Sequence, residues 1–304
     1  MKGFGDMKGF DGGSGGGHGW WGGSAPVVLE ATRQTFTGTS GFDRVTMASG
    51  GGTVLVSGIE ELTGKAGTDV VTLGSAGNTL QLSGIETLTG GAGSDAVCLT
   101  GFGSTLAVSG IETLAGGPGS DVVTVTGGGI RFLAGASGDQ LALATGAGAG
   151  TDQVVFDQDS RMGSYGRFSN DTPTQITHFQ SGTDTLVLGG PLAWSLDRNG
   201  NDTVQGATRA TGTIDVSTDE AAVLSTVATS LNDTKLAAVR TAIGTLTNTS
   251  RRASLLVLAN DGTDSGAYLV RDSNGDGQVG ASEIRLLGIF KGTTSIGLGD
   301  IVYG

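Results

Sequence analysis

The sequence predicts an all-β protein, a right-handed parallel β-solenoid closed by a C-terminal β-rich capping domain with one or two short helices. Three observations predict it. The tripeptide Gly-Ile-Glu recurs at Gly58-Ile59-Glu60, Gly84-Ile85-Glu86 and Gly110-Ile111-Glu112, a step of 26 residues each time. Asp43, Asp69, Asp95 and Asp121 keep the same step, as do Leu62, Leu88 and Leu114. Within the repeats apolar residues alternate, with Val97 and Leu99 around Cys98 and Leu106 and Val108 around Ala107. Such alternation makes short strands with one buried face, and self-similarity at this period is the mark of stacked repeats. Glycine fills 58 of the 304 positions, far above a usual share of about 7%, which suits many narrow turns.

The chain divides into three regions. Residues 1–25 form a Gly-rich tail in which Met-Lys-Gly-Phe occurs twice and which ends near Trp20-Trp21. Its composition is that of a flexible linker, but its aromatic side chains would serve as anchors to a neighbouring subunit. Residues 26–156 carry the repeat, each 26-residue unit being read as one coil. After Asp121 the spacing shortens to Asp139 and Asp152, so the solenoid is expected to finish near Phe156. Residues 157–304 form the cap. There Ser217-Thr218-Asp219-Glu220 has the form of a capping box and predicts a helix through about Leu231. A second helix is expected from Thr234 to Ile243, stopping at Gly244, followed by strands at Ser254–Leu258, Ala267–Val270 and Ile284–Phe290.

The repeat turns carry chemistry. Gly90-Gly91-Ala92-Gly93-Ser94-Asp95-Ala96-Val97-Cys98 fits the nonapeptide G-G-x-G-x-D-x-U-x, and Gly116 to Thr124 fits it again. Gly64 to Thr72 and Gly38 to Thr46 fit it less closely. These turns resemble those of the repeats-in-toxin (RTX) β-roll proteins. The resemblance implies calcium held between turns of successive coils, with backbone carbonyls and the aspartates Asp69, Asp95 and Asp121 as ligands, and Asp43, Asp139 and Asp152 as further candidates. With one such turn per 26-residue coil, one calcium column is expected, and removing calcium is expected to disorder the solenoid. Glu60, Glu86 and Glu112 read as a second stack, either splayed into solvent and capping backbone amides or holding a second row of cations.

A separate loop, Asp272 to Glu283, matches D-x-[DN]-x-[DN]-G-x5-E at every defined position. Asp272, Asn274, Asp276, the Gln278 carbonyl and Glu283 would form an oxygen cage for calcium, with Gly277 permitting the turn. Asp197 to Asp202 begins similarly but lacks the sixth-place glycine, and is expected to be a hairpin turn.

Residues 174–188, with Ile176-Thr177-His178-Phe179 and Ser181-Gly182-Thr183-Asp184, resemble the segment that closes the β-roll of serralysin-type proteases. His178 stands where that segment has aspartate, and a structural role is expected for it. The terminal Asp300-Ile301-Val302-Tyr303 resembles the signal of proteins exported by type I secretion machinery. Residues 1–25 hold no apolar run of Sec type. The resemblance thus implies a secreted protein of the extracellular cell surface.

Other functions are disfavoured. The net charge is −12, which repels nucleic acid and anionic membranes, so neither nucleic-acid binding nor membrane insertion is expected. There are 2 histidines and no H-E-x-x-H, and Gly12 to Gly16 meets G-x-S-x-G only through its glycines, so no enzyme is expected. The function expected is calcium-dependent folding and self-assembly into a homo-oligomer or polymer, through the tail and the solenoid ends, as a surface layer, filament or matrix. The alternative is an adhesin or ligand-binding module. A ladder of Thr46, Thr72 and Thr124, interrupted by Cys98, raises ice binding as a minor third reading.

Overall fold

The computed structural model describes residues 27–29, 34–135, 137–157, 172–210, 213–225, 227–249 and 254–304. The N-terminal tail, with Trp20 and Trp21, lies outside them. The described chain is a parallel β-solenoid of about ten turns.

Its strands run, in order, β1 Val27–Leu29, β2 Gln34–Thr37, β3 Arg44–Met47, β4 Gly52–Ser57, β5 Glu61–Thr63, β6 Asp69–Leu73, β7 Thr79–Ser83, β8 Thr87–Thr89 and β9 Ala96–Leu99. They continue with β10 Thr105–Ser109, β11 Thr113–Ala115, β12 Val122–Val125, β13 Arg131–Leu133, β14 Gln140–Ala142, β15 Gln153–Phe156, β16 Thr174–Thr177 and β17 Thr185–Leu188. The odd-numbered strands stack in one parallel sheet and the even-numbered strands in another. Each coil therefore has two strands and two corners. Successive coils pair side by side, as in Arg44 with Glu61 and Val71 with Leu88, 17 residues apart, or Leu62 with Leu82, 20 apart.

This corrects the reading of one coil per repeat. A 26-residue unit holds three strands, such as β6, β7 and β8, and so winds through one and a half coils. Equivalent residues of successive repeats fall on opposite sheets, and the pattern returns to the same sheet only after two repeats. Thr46 and Cys98 consequently lie on one sheet and Thr72 and Thr124 on the other, which dissolves the proposed threonine ladder.

The two sheets face each other across one continuous core from Leu29 to Ile301, in which Leu62, Leu88 and Leu114 are fully buried. The glycine pairs explain how tightly the corners stack. A Cβ on Gly90 would lie 1.6 Å from the carbonyl oxygen of Gly110 in the adjacent coil, and Gly64 meets Gly84 in the same way. Gly84 and Gly110 themselves have φ of +63°, in the left-handed region.

Nor does the solenoid finish near Phe156. β14 pairs with β16 and β15 with β17. The chain then leaves the stack at residue 189 and returns to add a last coil from β24, Ile284–Lys291, and β25, Ile301–Tyr303, which pair with β16 and β17. Between them lie α1 Gly190–Leu196, β18 Gly206–Arg209, β19 Thr213–Asp215, β20 Ala221–Leu224, α2 Ala237–Ile243, β21 Thr245–Thr247, β22 Ser254–Asn260 and β23 Ser265–Arg271. β23 extends the even-numbered sheet antiparallel to β24, β22 pairs antiparallel to β23 and so runs parallel to β24, and β20 and β18 continue the sheet beyond β22. One face of this extension prolongs the solenoid core through Leu256, Leu258 and Leu269. The other packs Leu255, Val257 and Tyr268 against Val239 and Ile243 of α2. Burial on both faces is why these segments read as near-continuous apolar runs.

The helix expected from Ser217 to about Leu231 does not form. The Ser217 amide and hydroxyl both donate to Asp215 Oδ1. Glu220 does not reach back to cap; its Oε2 accepts the Gln205 amide and the Tyr303 hydroxyl. Ala221–Leu224 is drawn into the sheet between β18 and β22, so strand pairing overrides the local capping signal. The second expected helix forms only over Ala237–Ile243, because Lys235 and Leu236 before it are left-handed at φ +62° and +51°, and it stops at Gly244 as expected. Helix α1, carrying Pro191 in its first turn, was not anticipated. Among the described residues no helix is long and apolar enough to cross a membrane.

Candidate metal centres

The corner aspartates are buried, whereas Glu60 and Glu86 are half-buried and Glu112 is exposed, and backbone amides meet all of them. Glu60 Oε2 accepts the amide of Asp43 in the preceding coil at 2.7 Å, Glu86 that of Asp69 at 2.7 Å, and Glu112 that of Asp95 at 2.6 Å. Asp95 Oδ1 accepts both the backbone and side-chain amides of Asn78, at 2.8 and 2.7 Å. Asp121 Oδ1 takes the Ser104 amide, Asp139 Oδ1 the Asp121 amide, and Asp152 Oδ1 those of Gly129 and Ile130. The second oxygen of Asp43, Asp69, Asp95 and Asp139 accepts the amide four residues earlier, bracing its own glycine turn. Asp43, Asp69, Asp95 and Asp139 thus brace their own turns, while Asp95, Asp121, Asp139, Asp152 and the three glutamates clamp the coil before them. These charge-assisted bonds satisfy backbone groups that leave the strands at each corner.

Two corrections follow. The aspartates do not form one column: Asp43, Asp95 and Asp152 precede odd-numbered strands, whereas Asp69, Asp121 and Asp139 begin or precede even-numbered ones, so they occupy both edges. The glutamates do not stack on one another either, because Glu86 lies on the edge opposite Glu60 and Glu112. Their role is the amide-capping one. Sequence reasoning missed Asp184 and Asp300 as corner acids. Asp184 Oδ1 accepts the Asp152 amide, and Asp300 accepts the Gly182 amide and the Ser181 hydroxyl. The Gly182-Thr183-Asp184 spelling was the available signal for the first. His178 stands just beyond β16 at φ +67°, not inside a strand, with its Nδ1 3.1 Å from the Leu143 carbonyl oxygen.

The alternation also spaces the glycine–aspartate turns. On either edge, Asp43 and Asp95, or Asp69 and Asp121, stand three coils apart with glutamate and amide corners between them. After Asp121 the shortened period brings two such turns into direct contact. A Cβ on Gly116 would lie 3.3 Å from Asp139 Oδ2 and 3.4 Å from Asp121 Oδ2. Asp121 Oδ2 is buried without a hydrogen-bond partner, and so is Asp69 Oδ1. Burial pushes Asp121 up to about 6, the Ser104 amide opposes the rise, and the Asp139 carboxylate adds to it. Burial raises Asp152 as well.

These shifts set a sign. A carboxyl whose folded value lies above its ordinary 3.8 holds its proton more tightly when folded. Its contribution favours folding at low pH and is lost as pH rises through about 6. In chelator, denaturant unfolding should therefore show a stability component from Asp121 that grows between pH 7 and pH 5. Asp121→Asn should remove that component, and calcium should flatten it by taking the proton's place. An unchanged slope in Asp121→Asn would refute the assignment.

The loop from Asp272 to Glu283 joins β23 to β24. The Arg271 amide donates to the Glu283 carbonyl oxygen at its neck, and the Leu246 amide of β21 to the Gly277 carbonyl oxygen. Asp272 accepts the amides of Gly275 and Gly277, and Glu283 those of Ser273, Asn274 and Gly280. Asn274 Oδ1 accepts the Asp276 amide, and Asp276 Oδ1 the Gln278 amide. Gly275 and Gly277, at φ +77° and +76°, make the turn. Oxygens of Asp272, Asp276 and Glu283 all lie within 4.8 Å of one another, the one such group of three acidic side chains among the described residues. Asp272 and Glu283 are buried while Asp276 is exposed. Hard oxygen donors at this separation, with one side open, fit a calcium ion.

The Asp197–Asp202 segment is a turn, but it leads from α1 towards β18 rather than joining a hairpin. Asp197 accepts the amides of Gly200, Asn201 and Asp202. Neither a scan against protein-family models nor a search of curated proteins finds a match to this chain.

Proposed function

We propose that this chain is a secreted, calcium-binding structural protein of RTX type that assembles on the bacterial surface into a layer, filament or matrix. The observation that carries the reading is the Asp272–Asp276–Glu283 group, three carboxylates drawn within 4.8 Å by a loop of calcium-binding sequence. The directly stacked turns of Asp121 and Asp139 support a second ion, in the solenoid. The other corner acids, including Asp43, Asp69, Asp95 and Asp152, serve first as amide acceptors. Residues 301–303 of the segment read as an export signal form β25 and pair with β17, so under this reading that pairing forms only after export.

Calorimetry tests the calcium reading. Asp276→Ala with Glu283→Ala should lose one bound calcium and loosen the β23–β24 hairpin in hydrogen exchange while the β6–β12 coils keep their protection. Equal stoichiometry in parent and variant would overturn it.

A further inference from the structure

The even-numbered sheet presents an outward face free of charge. From β2 to β16, across eight strands, its outward positions hold Thr, Ser, Ala, Val, Leu or Gln. One row runs Thr53, Val70, Thr87, Ala107, Thr124, Ala142 through paired neighbours. The odd-numbered sheet differs, carrying Arg44, Glu61 and Arg131 outward with a 2.8 Å Arg44–Glu61 ion pair. Further along the even-numbered sheet the chain covers this same face itself: Ile289 of β24, next to Gln175, packs into the second core with α2. Among the described residues the face is thus clothed at its C-terminal end and bare from β2 to β16.

We propose that the bare face pairs with the same face of a second copy. This rests on the self-assembly reading and names the surface involved. With a net charge of −12, two copies repel wherever acidic surfaces meet, and charge is depleted in the cores of protein interfaces. A two-fold axis sets the same patch of both copies against itself, so an uncharged face meets an uncharged face. Eight strands about 4.8 Å apart and roughly 15 Å wide offer about 500 Å² per copy, or about 1,000 Å² in total, the lower bound for a specific pair and the size of a weak, reversible one.

The test is sedimentation velocity on the full chain in saturating calcium. Thr87→Glu with Ala107→Glu puts two charges at neighbouring positions in the middle of the face. The matched pair Ala96→Glu with Thr113→Glu does the same on the other sheet, where those residues are also neighbours. The parent and the matched pair should associate alike, and the face variant more than roughly tenfold more weakly, because like charges would be desolvated together. Thr87→Lys with Ala107→Lys, mixed with the Glu variant, should restore association, which separates lost pairing from misfolding. A face variant that associates like the parent overturns the face pairing and leaves assembly through tail or ends. A parent that stays monomeric overturns the assembly reading too. Face-dependent retention of a monomeric parent on an insoluble polysaccharide would make the face a ligand surface and also overturn the pairing.

Discussion

Asp95→Ala should cost the metal-free protein about 3–5 kcal/mol, because it strands several buried amides at roughly 1–3 kcal/mol each. Asp95 Oδ1 takes both nitrogens of Asn78 and Oδ2 takes the Gly91 amide. Asp69→Ala at the equivalent repeat position should cost distinctly less. Asp69 accepts the Lys65 amide at 2.9 Å, but its Oδ1 faces no donor, since the Gly52 amide bonds instead to the Thr68 carbonyl oxygen. If the aspartates acted only as calcium ligands, the two variants would lose stability equally in calcium and not at all in chelator. Urea unfolding of both, with and without chelator, separates the cases. The same amide ladder revises the expectation that chelation disorders the solenoid. Most of its acids accept amides without metal, Asp69 Oδ1 and Asp121 Oδ2 being the exceptions, so far-ultraviolet circular dichroism should keep most of its strand signal in chelator.

Gly90→Ala should be the more damaging of two glycine substitutions, preventing the coil from closing or costing more than about 4 kcal/mol. The new Cβ would stand 1.6 Å from the Gly110 carbonyl oxygen and 2.5 Å from its carbon, both backbone atoms that move only if the coils part. Gly110→Ala meets no such wall. Its nearest neighbour is the Gly90 carbonyl oxygen at 3.6 Å, and the cost is the left-handed backbone at φ +63°, about 1–2 kcal/mol. Urea midpoints for the two variants should fall in that order, and a milder Gly90→Ala would disprove the close approach of the two corners.

Much of this protein is legible in its sequence because it is repetitive. Period-two alternation within β6, β7 and β9 marks the buried face, whatever the coil's final cross-section. The loop at Asp272 was readable for a similar reason: a twelve-residue metal loop is local, its glycines and oxygens fixed by position within one segment. Helix α2 was readable from its stop at Gly244, although it starts at Ala237 and not at Thr234.

The number of residues in a coil was not legible. A period of 26 residues states how often the chain repeats its chemistry, but not how many times it turns back. That depends on whether the strands close into two sheets or three, a matter of packing between coils. Two-sheet closure put Asp69 and Asp95 on opposite edges, separated like corners by three coils, and brought Asp121 and Asp139 together only where the repeat breaks. The stretch from Ser217 to Leu224 failed for the same kind of reason. Its capping signal is local, while the strand it joins is supplied by β18 and β22. Nor could the sequence reveal that residues 301–303 pair with residues 186–188 across an insertion, because the partner of an edge strand is chosen by the exposed edge it meets. The sequence by itself determined the strands of the repeats, their inward rows and the chemistry of each turn. Only the tertiary structure decided which turns touch, because contact between coils depends on the winding of the whole chain.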